Sequence, residues 1–262
     1  MNDKNMNEEK MNKARALYYA MFSRFFVFTI DNKRYFELID FIDILRESPL
    51  DKSSALAFEN IRAVVKSESN IAFMKEFDDI FHSPETQTVR TTASYYDEDI
   101  ESGKKRIEMQ NFLAKTKIRR DEKAYSDYED HIGFIFSVMN ELCELISEGE
   151  EQYKSTAHCI FEQILNEFVD KFSKELYEHE NADIFKNVVV LLKSFIEFER
   201  VYLEVQTPLT EKSKPESKVK SDSLSDEEIA RRERNRLLRQ KGPKEEQSAC
   251  PLDIAYDVED DI

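Results

Sequence analysis

From Met11 onward, hydrophobic residues return at three- and four-residue steps. Met11, Ala14, Tyr18, Met21 and Phe25 fall on one stripe, as an amphipathic helix requires. Tyr35, Leu38, Ile39, Ile42 and Leu45 mark the buried face of a second helix that ends before Pro49. Asp51 has the chemistry of an N-cap, since its carboxylate can accept from the free N–H groups of a first turn; the third helix it opens carries Ile61, Val64 and Val65. A short fourth helix, Ile71–Phe81, is expected to stop before Pro84.

Residues 83–103 break the pattern. Thr, Ser and Asp cluster there without a helical period, which predicts a long ordered connection between two helical halves, and such connections are natural binding surfaces. A helix over 107–118 follows, then a stripe of Tyr128, Ile132, Ile135, Met139, Leu142 and Ile146. Two strongly amphipathic helices come next, one lined by Ala157, Phe161, Ile164, Phe168 and Phe172, the other by Ile184, Val188, Leu191, Phe195 and Phe198. Aromatic positions on these stripes, Phe22, Phe25, Phe161 and Phe168 among them, read as core, with no cofactor implied. No segment alternates at period two for long enough to demand a strand, and no proline occurs between Pro84 and Pro208. The expected fold is all-α: one compact domain over residues 1–205, with halves at about 1–82 and 104–205.

After Gln206 the composition changes. Residues 207–223 hold Leu209 and Val219 as their only aliphatic side chains, which predicts a flexible linker. A short charged helix over 225–240, opened by Ser225 and Glu228 in capping-box spacing, and an acidic tail are expected beyond it. Arg231, Arg232, Arg234, Arg236 and Arg239 on that helix read as a solvated face.

Charge narrows the functional classes. With 54 acidic and 38 basic residues the chain carries a formal net charge of -16, which repels nucleic acid and anionic membranes and suits a cationic partner. Three cysteines, Cys143, Cys159 and Cys250, form no CxxC pair and point to a reducing compartment. Residues 1–13 lack the basic start and apolar run of a secretory signal, and no stretch approaches about 18 apolar residues, so a cytoplasmic protein without stable membrane insertion is expected.

Few residues offer chemistry. Asp130 and His131 are neighbours, and adjacent helical positions diverge by about 100°, so they do not form an acid–base dyad with each other. Asp130 as a helix cap with His131 bound to a loop group, and the same pair as part of a peptide-binding site, remain two compatible readings. Asp127 with His131, Asp79 with His82, and Glu175 with His179 have helical spacings open to metal binding, but the Glu-x-x-His motif of di-iron bundles does not occur, and no metal site is expected. Glycines at 103, 133, 149 and 242 form no phosphate-binding loop, so no cofactor and no enzymatic activity are expected.

The most informative stretch is residues 77–142, with FDDIFHSP, then TTASYYDEDIESGKKRIEMQNFL, then YEDHIGFIFSVMNEL. It resembles the TorD/DmsD/NarJ family of redox-enzyme maturation chaperones. In that family a Ser-x-Tyr/Trp loop with acidic residues and a nearby glycine precedes a helix opened by Pro-x-Asp-His; here the matching residues are Ser94, Tyr96, Asp97 and Gly103, then Asp130 and His131 with Ile132, Phe134, Phe136 and Met139 behind them. Tyr128 stands where the family has proline, and Thr91-Thr92 where Pro-Pro is common.

The resemblance implies a chaperone that binds the twin-arginine signal peptide and apoprotein of a molybdenum-cofactor reductase or dehydrogenase, blocking early export and assisting cofactor insertion. Asp97, Glu98, Asp99 and Asp130 would meet the guanidinium groups, and Tyr18, Tyr96 and Phe134 the apolar stretch beyond; Ser94 would belong to the same peptide-binding site, and His131 would order the junction by hydrogen bonding. Monomer and swapped dimer are both open. The rival reading is an acidic helical adaptor or regulatory protein that binds some other basic partner.

Overall fold

A computed structural model describes residues 3–27, 32–66, 69–122 and 125–208, which belong to one unit, Met1–Pro208. The linker, charged helix and acidic tail expected after residue 208 lie outside the described residues. Those described are all-α, with no strand among them.

The first helix, α1 (Asp3–Phe26), departs from the simple stripe. Tyr18, Met21 and Phe25 are buried, but Met11 is only half-buried and Ala14 is exposed. From Tyr18 to Val27 every side chain except Arg24 is buried, so this half of the helix is enclosed on all sides and forms the centre of the bundle. It packs most extensively on α7 (Ile132–Ser147) and next on α2 (Asn32–Leu45). Phe22 and Phe26 meet Phe136 of α7 at ring separations of 5.5 and 5.9 Å, and Phe26 also meets Phe172 edge-on at 5.3 Å. Each fully buried phenylalanine of this kind contributes about 1.5–3 kcal/mol.

The expected face of α2 is buried throughout. Asp51 caps α3 (Lys52–Val64) in a reciprocal box: its carboxylate accepts the Ser54 N–H at 2.7 Å while the Ser54 hydroxyl accepts the Asp51 N–H at 2.8 Å. Ile61 is buried, whereas Val64 is exposed and Val65 lies just past the helix. The fourth helix, α4, spans Ile71–Phe81 and buries Phe73, Phe77 and Ile80.

Inside the connection 83–103 sits a helix with no counterpart in the sequence pattern, α5 (Ala93–Glu98). Six residues are under two turns, too short for a period to show. The next helix, α6, spans Lys104–Ala114 rather than 107–118. It starts early because the Glu98 carboxylate accepts the Lys104 N–H at 2.7 Å. It stops early because Thr116 bonds the Leu113 carbonyl at 2.9 Å and the Arg119 guanidinium takes the carbonyls of Leu113, Thr116 and Ile118. Its inward face is also unexpected: Lys105 is buried, while Ile107 is 60% exposed.

Helix α7 begins at Ile132, so Tyr128 lies outside it. A 3-10 turn, Glu151–Tyr153, leads into α8 (Lys154–Ile160), which runs through a π-helical turn, Phe161–Leu165, into α9 (Asn166–Glu178). The displaced carbonyl of Gln163 in that turn is taken by the Lys105 ammonium at 2.8 Å, which also pairs with Glu167. The last described helix, α10 (Ile184–Leu203), packs on α3 and α9. Helices from before and after the connection therefore interleave, α1 on α7 and α3 on α10. Among the described residues no helix is long and apolar enough to cross a membrane.

Candidate functional site

The connection meets the start of α7 through two backbone hydrogen bonds, from the Ala93 N–H to the Asp130 carbonyl at 3.0 Å and from the Ile132 N–H to the Thr91 carbonyl at 2.8 Å. Thr92 and His131 thereby form an isolated antiparallel bridge. At this crossing the side chain of Asp130, fully buried, accepts the Ser94 N–H at 2.9 Å. Thr92 makes no side-chain cap of its own, so the first turn of α5 is capped by a carboxylate from a distant part of the chain. The Ser94 hydroxyl in turn accepts the Arg106 N–H of α6 at 3.2 Å.

Asp130 thus caps α5, not the helix that follows it. The other oxygen of its carboxylate, Oδ1, is buried without a hydrogen-bond partner. Burial raises the pKa of this carboxyl above its ordinary value, against the lowering effect of the Ser94 hydrogen bonds.

His131 is the N-cap of α7. Its Nδ1 accepts the Gly133 N–H at 3.1 Å and the Tyr125 hydroxyl lies 2.6 Å away, so the ring accepts from a helix N–H and a phenol rather than donating to a loop carbonyl. With Nδ1 accepting both, the proton sits on Nε2, 4.0 Å from the Asp127 carboxylate. Burial lowers the His131 pKa to about 4, only partly opposed by Asp127, so the ring is neutral at pH 7. Phe134 packs under Tyr125, ring centres 5.2 Å apart.

Beneath the crossing, buried Glu129 binds two guanidinium groups, Arg106 at 2.7 Å and Arg120 at 3.1 Å, and Arg106 covers the Tyr128 ring at 4.3 Å. Sequence reading did not single out Glu129, Arg106, Arg120 or Tyr125. Glu129 adjoining Asp130, with Arg119 and Arg120 shortly before it in the chain, is the available signal.

Toward solvent the same junction presents a different set. Asp97, Glu98 and Asp99 are exposed, and Asp99 ends α5 in the left-handed conformation with φ 60°. Glu98 is engaged with the start of α6, whereas among the described residues Asp97 and Asp99 enter no ion pair. Tyr96 stacks on Phe168 of α9 with ring centres 5.6 Å apart, its hydroxyl 2.8 Å from Glu175 and 3.0 Å from the Arg90 carbonyl. Tyr96 and Asp97 also border a small cleft of about 60 Å³ against Lys105 and Lys171.

Of the nine candidate residues, Ser94, Asp130, His131 and Phe134 form the buried crossing, and Tyr96, Asp97, Glu98 and Asp99 lie at the surface above it. Tyr18 joins neither group. It is buried against Phe195 of α10 at 5.0 Å, its hydroxyl pushed up to about 12 by burial and then by the charge of Asp51. The metal-like spacings resolve differently as well: His82 bonds Asp78 at 2.9 Å rather than Asp79, and among the described residues no group of three His, Cys, Asp or Glu side chains has metal-holding geometry.

Residues 47–174 match the family described as nitrate reductase delta subunit. No curated protein is similar in sequence at a significant level. Among solved structures, the chain is similar to an Archaeoglobus fulgidus protein provisionally assigned to redox enzyme maturation, at 17% identity over 71% of this chain and 93% of that one, with a TM-score of 0.44. The family match runs from α3 into α9 and contains the whole crossing of Thr92 with His131. Over those residues the chain is similar to the NarJ/TorD-type redox-enzyme maturation chaperones.

Proposed function

We propose that the chain acts in the cytoplasm, without covalent chemistry of its own, holding the twin-arginine signal peptide and the apo form of a molybdopterin-containing oxidoreductase until cofactor insertion is complete. One observation carries the reading: α5 is pinned from below by buried Asp130 while its far end offers Asp97 and Asp99 to solvent with no basic partner among the described residues. Carboxylates held on a rigid element and left uncompensated favour guanidinium groups, whose planar fork binds them bidentately. Tyr96 beside them supplies aromatic surface for the segment after the arginines. The net charge of -16 favours approach of a basic leader.

The test uses a fluorescent leader peptide with Arg-Arg and its Lys-Lys counterpart, titrated into the full chain at low and high salt. The Arg-Arg peptide is expected to bind about tenfold more tightly, and Asp97→Asn with Asp99→Asn to abolish that preference, while added salt weakens binding. Equal binding of both leaders, unmoved by the double replacement, would overturn the reading and favour an adaptor for some other basic partner.

A further inference from the structure

Just past the C-terminal end of α6 the chain gathers charge of the opposite sign. Residues 115–120 hold Lys115, Lys117, Arg119 and Arg120 with no acidic residue among them, a basic run in a chain whose net charge is -16. Two of the four are offset: Arg120 pairs with Glu122 and Glu129, and Lys117 stands 4.0 Å from Glu150. Lys115 and Arg119 are exposed, and among the described residues neither enters an ion pair.

Arg119 is nevertheless held in place. Its Nη1 donates to the carbonyls of Leu113, Thr116 and Ile118 at 2.7, 2.8 and 2.7 Å. These neutral acceptors orient the guanidinium without cancelling its charge, and among the described residues its Nε and Nη2 make no hydrogen bond. A flat fork already fixed on one side gives up little freedom when its open edge takes a carboxylate.

Apolar surface lies alongside. Leu113 and Ala114 line a cleft of about 280 Å³ together with Arg119. Arg120, Glu122 and Glu129 also border it, but they are engaged with one another and with Arg106. Ile107, Gln110 and Ala114 share one face of α6, so the cleft continues back along the helix to Ile107, which is 60% exposed. An isoleucine turned to water adds little to the fold and gains by burial against a partner.

We propose that this cleft and the strip from Ala114 back to Ile107 dock an acidic segment of a partner protein, with a carboxylate on the open edge of Arg119 and beside Lys115, and aliphatic side chains against Ile107 and Leu113. At contact distance the local patch outweighs the net charge, because salt screens exposed charges beyond about 8 Å. The inference does not rest on the leader reading, since a basic leader is repelled here. A free phosphate would meet the cations but leave the apolar strip uncovered.

The experiment measures fluorescence anisotropy of labelled Leu-Glu-Glu-Leu-Glu, its Leu-Gln-Gln-Leu-Gln counterpart and Ser-Glu-Glu-Ser-Glu with the full chain. The first peptide should bind saturably and at least about tenfold more tightly than the second, and several-fold more tightly than the third. K115Q with R119Q should remove the preference for the acidic peptide, and I107S the preference for leucine over serine. Because Arg119 also caps α6, a loss of helical circular dichroism in the first variant moves the test to K115Q with K117Q, which cap nothing and should weaken binding in the same direction. No saturable binding, equal binding of the Glu and Gln peptides, equal binding of the Leu and Ser peptides, or displacement by equimolar inorganic phosphate would each overturn the assignment.

Discussion

The carboxylate of Asp130 accepts the backbone N–H of Ser94 at 2.9 Å, closing a contact between residues 36 positions apart. This single bond caps α5, sets the height of the acidic surface above it and occupies one oxygen of a fully buried acid. It makes Asp130 a positioning residue for Asp97 and Asp99, not a direct contact for a cationic ligand.

Replacing Asp130 with alanine should lower stability by about 2 kcal/mol, through loss of the cap and an orphaned Ser94 N–H, measured by urea denaturation. Asn, which keeps an acceptor oxygen, should cost less than half as much. The pH dependence is distinctive, because burial raises this carboxyl. A group that binds its proton more tightly when folded contributes stability that is fully present below the ordinary carboxylate range and is lost as pH rises through the raised value. The Asn variant should lack that loss.

His131 should act in the opposite sense. Its folded-state pKa is lowered from 6.5 to about 4, so the unfolded chain binds the extra proton and stability falls as pH drops from about 6.5 toward 4, at up to about 1.4 kcal/mol per pH unit. Urea midpoints across that window should flatten in His131→Asn. That side chain can still cap Gly133, which keeps the cost at pH 7 to about 1 kcal/mol.

Arg15 of α1 and Glu199 of α10 form a buried two-pronged ion pair at 2.6 and 2.8 Å, with the Tyr19 hydroxyl on the same carboxylate at 2.7 Å. Arg15→Met alone should cost about 3–5 kcal/mol, because Glu199 would keep a buried charge without its partner. Arg15→Met combined with Glu199→Leu should recover most of the loss, since two apolar side chains remove the charge and its desolvation together. Thermal melts of the two single variants and the double variant form the cycle that checks this.

Gly133, in the first turn of α7, lies against the C-terminal end of α1. A methyl group there would lie 2.8 Å from Val27 Cγ2 and 3.0 Å from the backbone of Phe26. Gly133→Ala should therefore destabilise by about 1–3 kcal/mol despite the usual helix preference for alanine, with a lowered melting temperature as the readout.

Helix α4 could be read from the chain as Ile71–Phe81, and the face of α2 and the Asp51 cap were equally legible, because these are local patterns of spacing and side-chain chemistry. Helix α5 was hidden by its shortness, and the start of α7 was misplaced because Tyr128 continues the apolar spacing although the chain turns at His131. The site divided along the same line. Ser94, Tyr96, Asp97, Asp99, Asp130 and His131 were recognisable as a group by their likeness to a family pattern, but nothing in that pattern separates the acid that is buried from those that face water.

An all-helical body, its apolar faces and its acidic surface are properties of neighbouring residues, and the chain alone was sufficient to specify them. Only the tertiary structure assigned Asp130 to α5, enclosed Arg15 with Glu199, placed Tyr18 in the core and gathered Glu175, Glu178 and His179 beside residues 87–89. The physical reason is sequence separation. Burial and partner are set by segments that meet after 36 residues in one case and 184 in another, and no periodicity carries information over such distances.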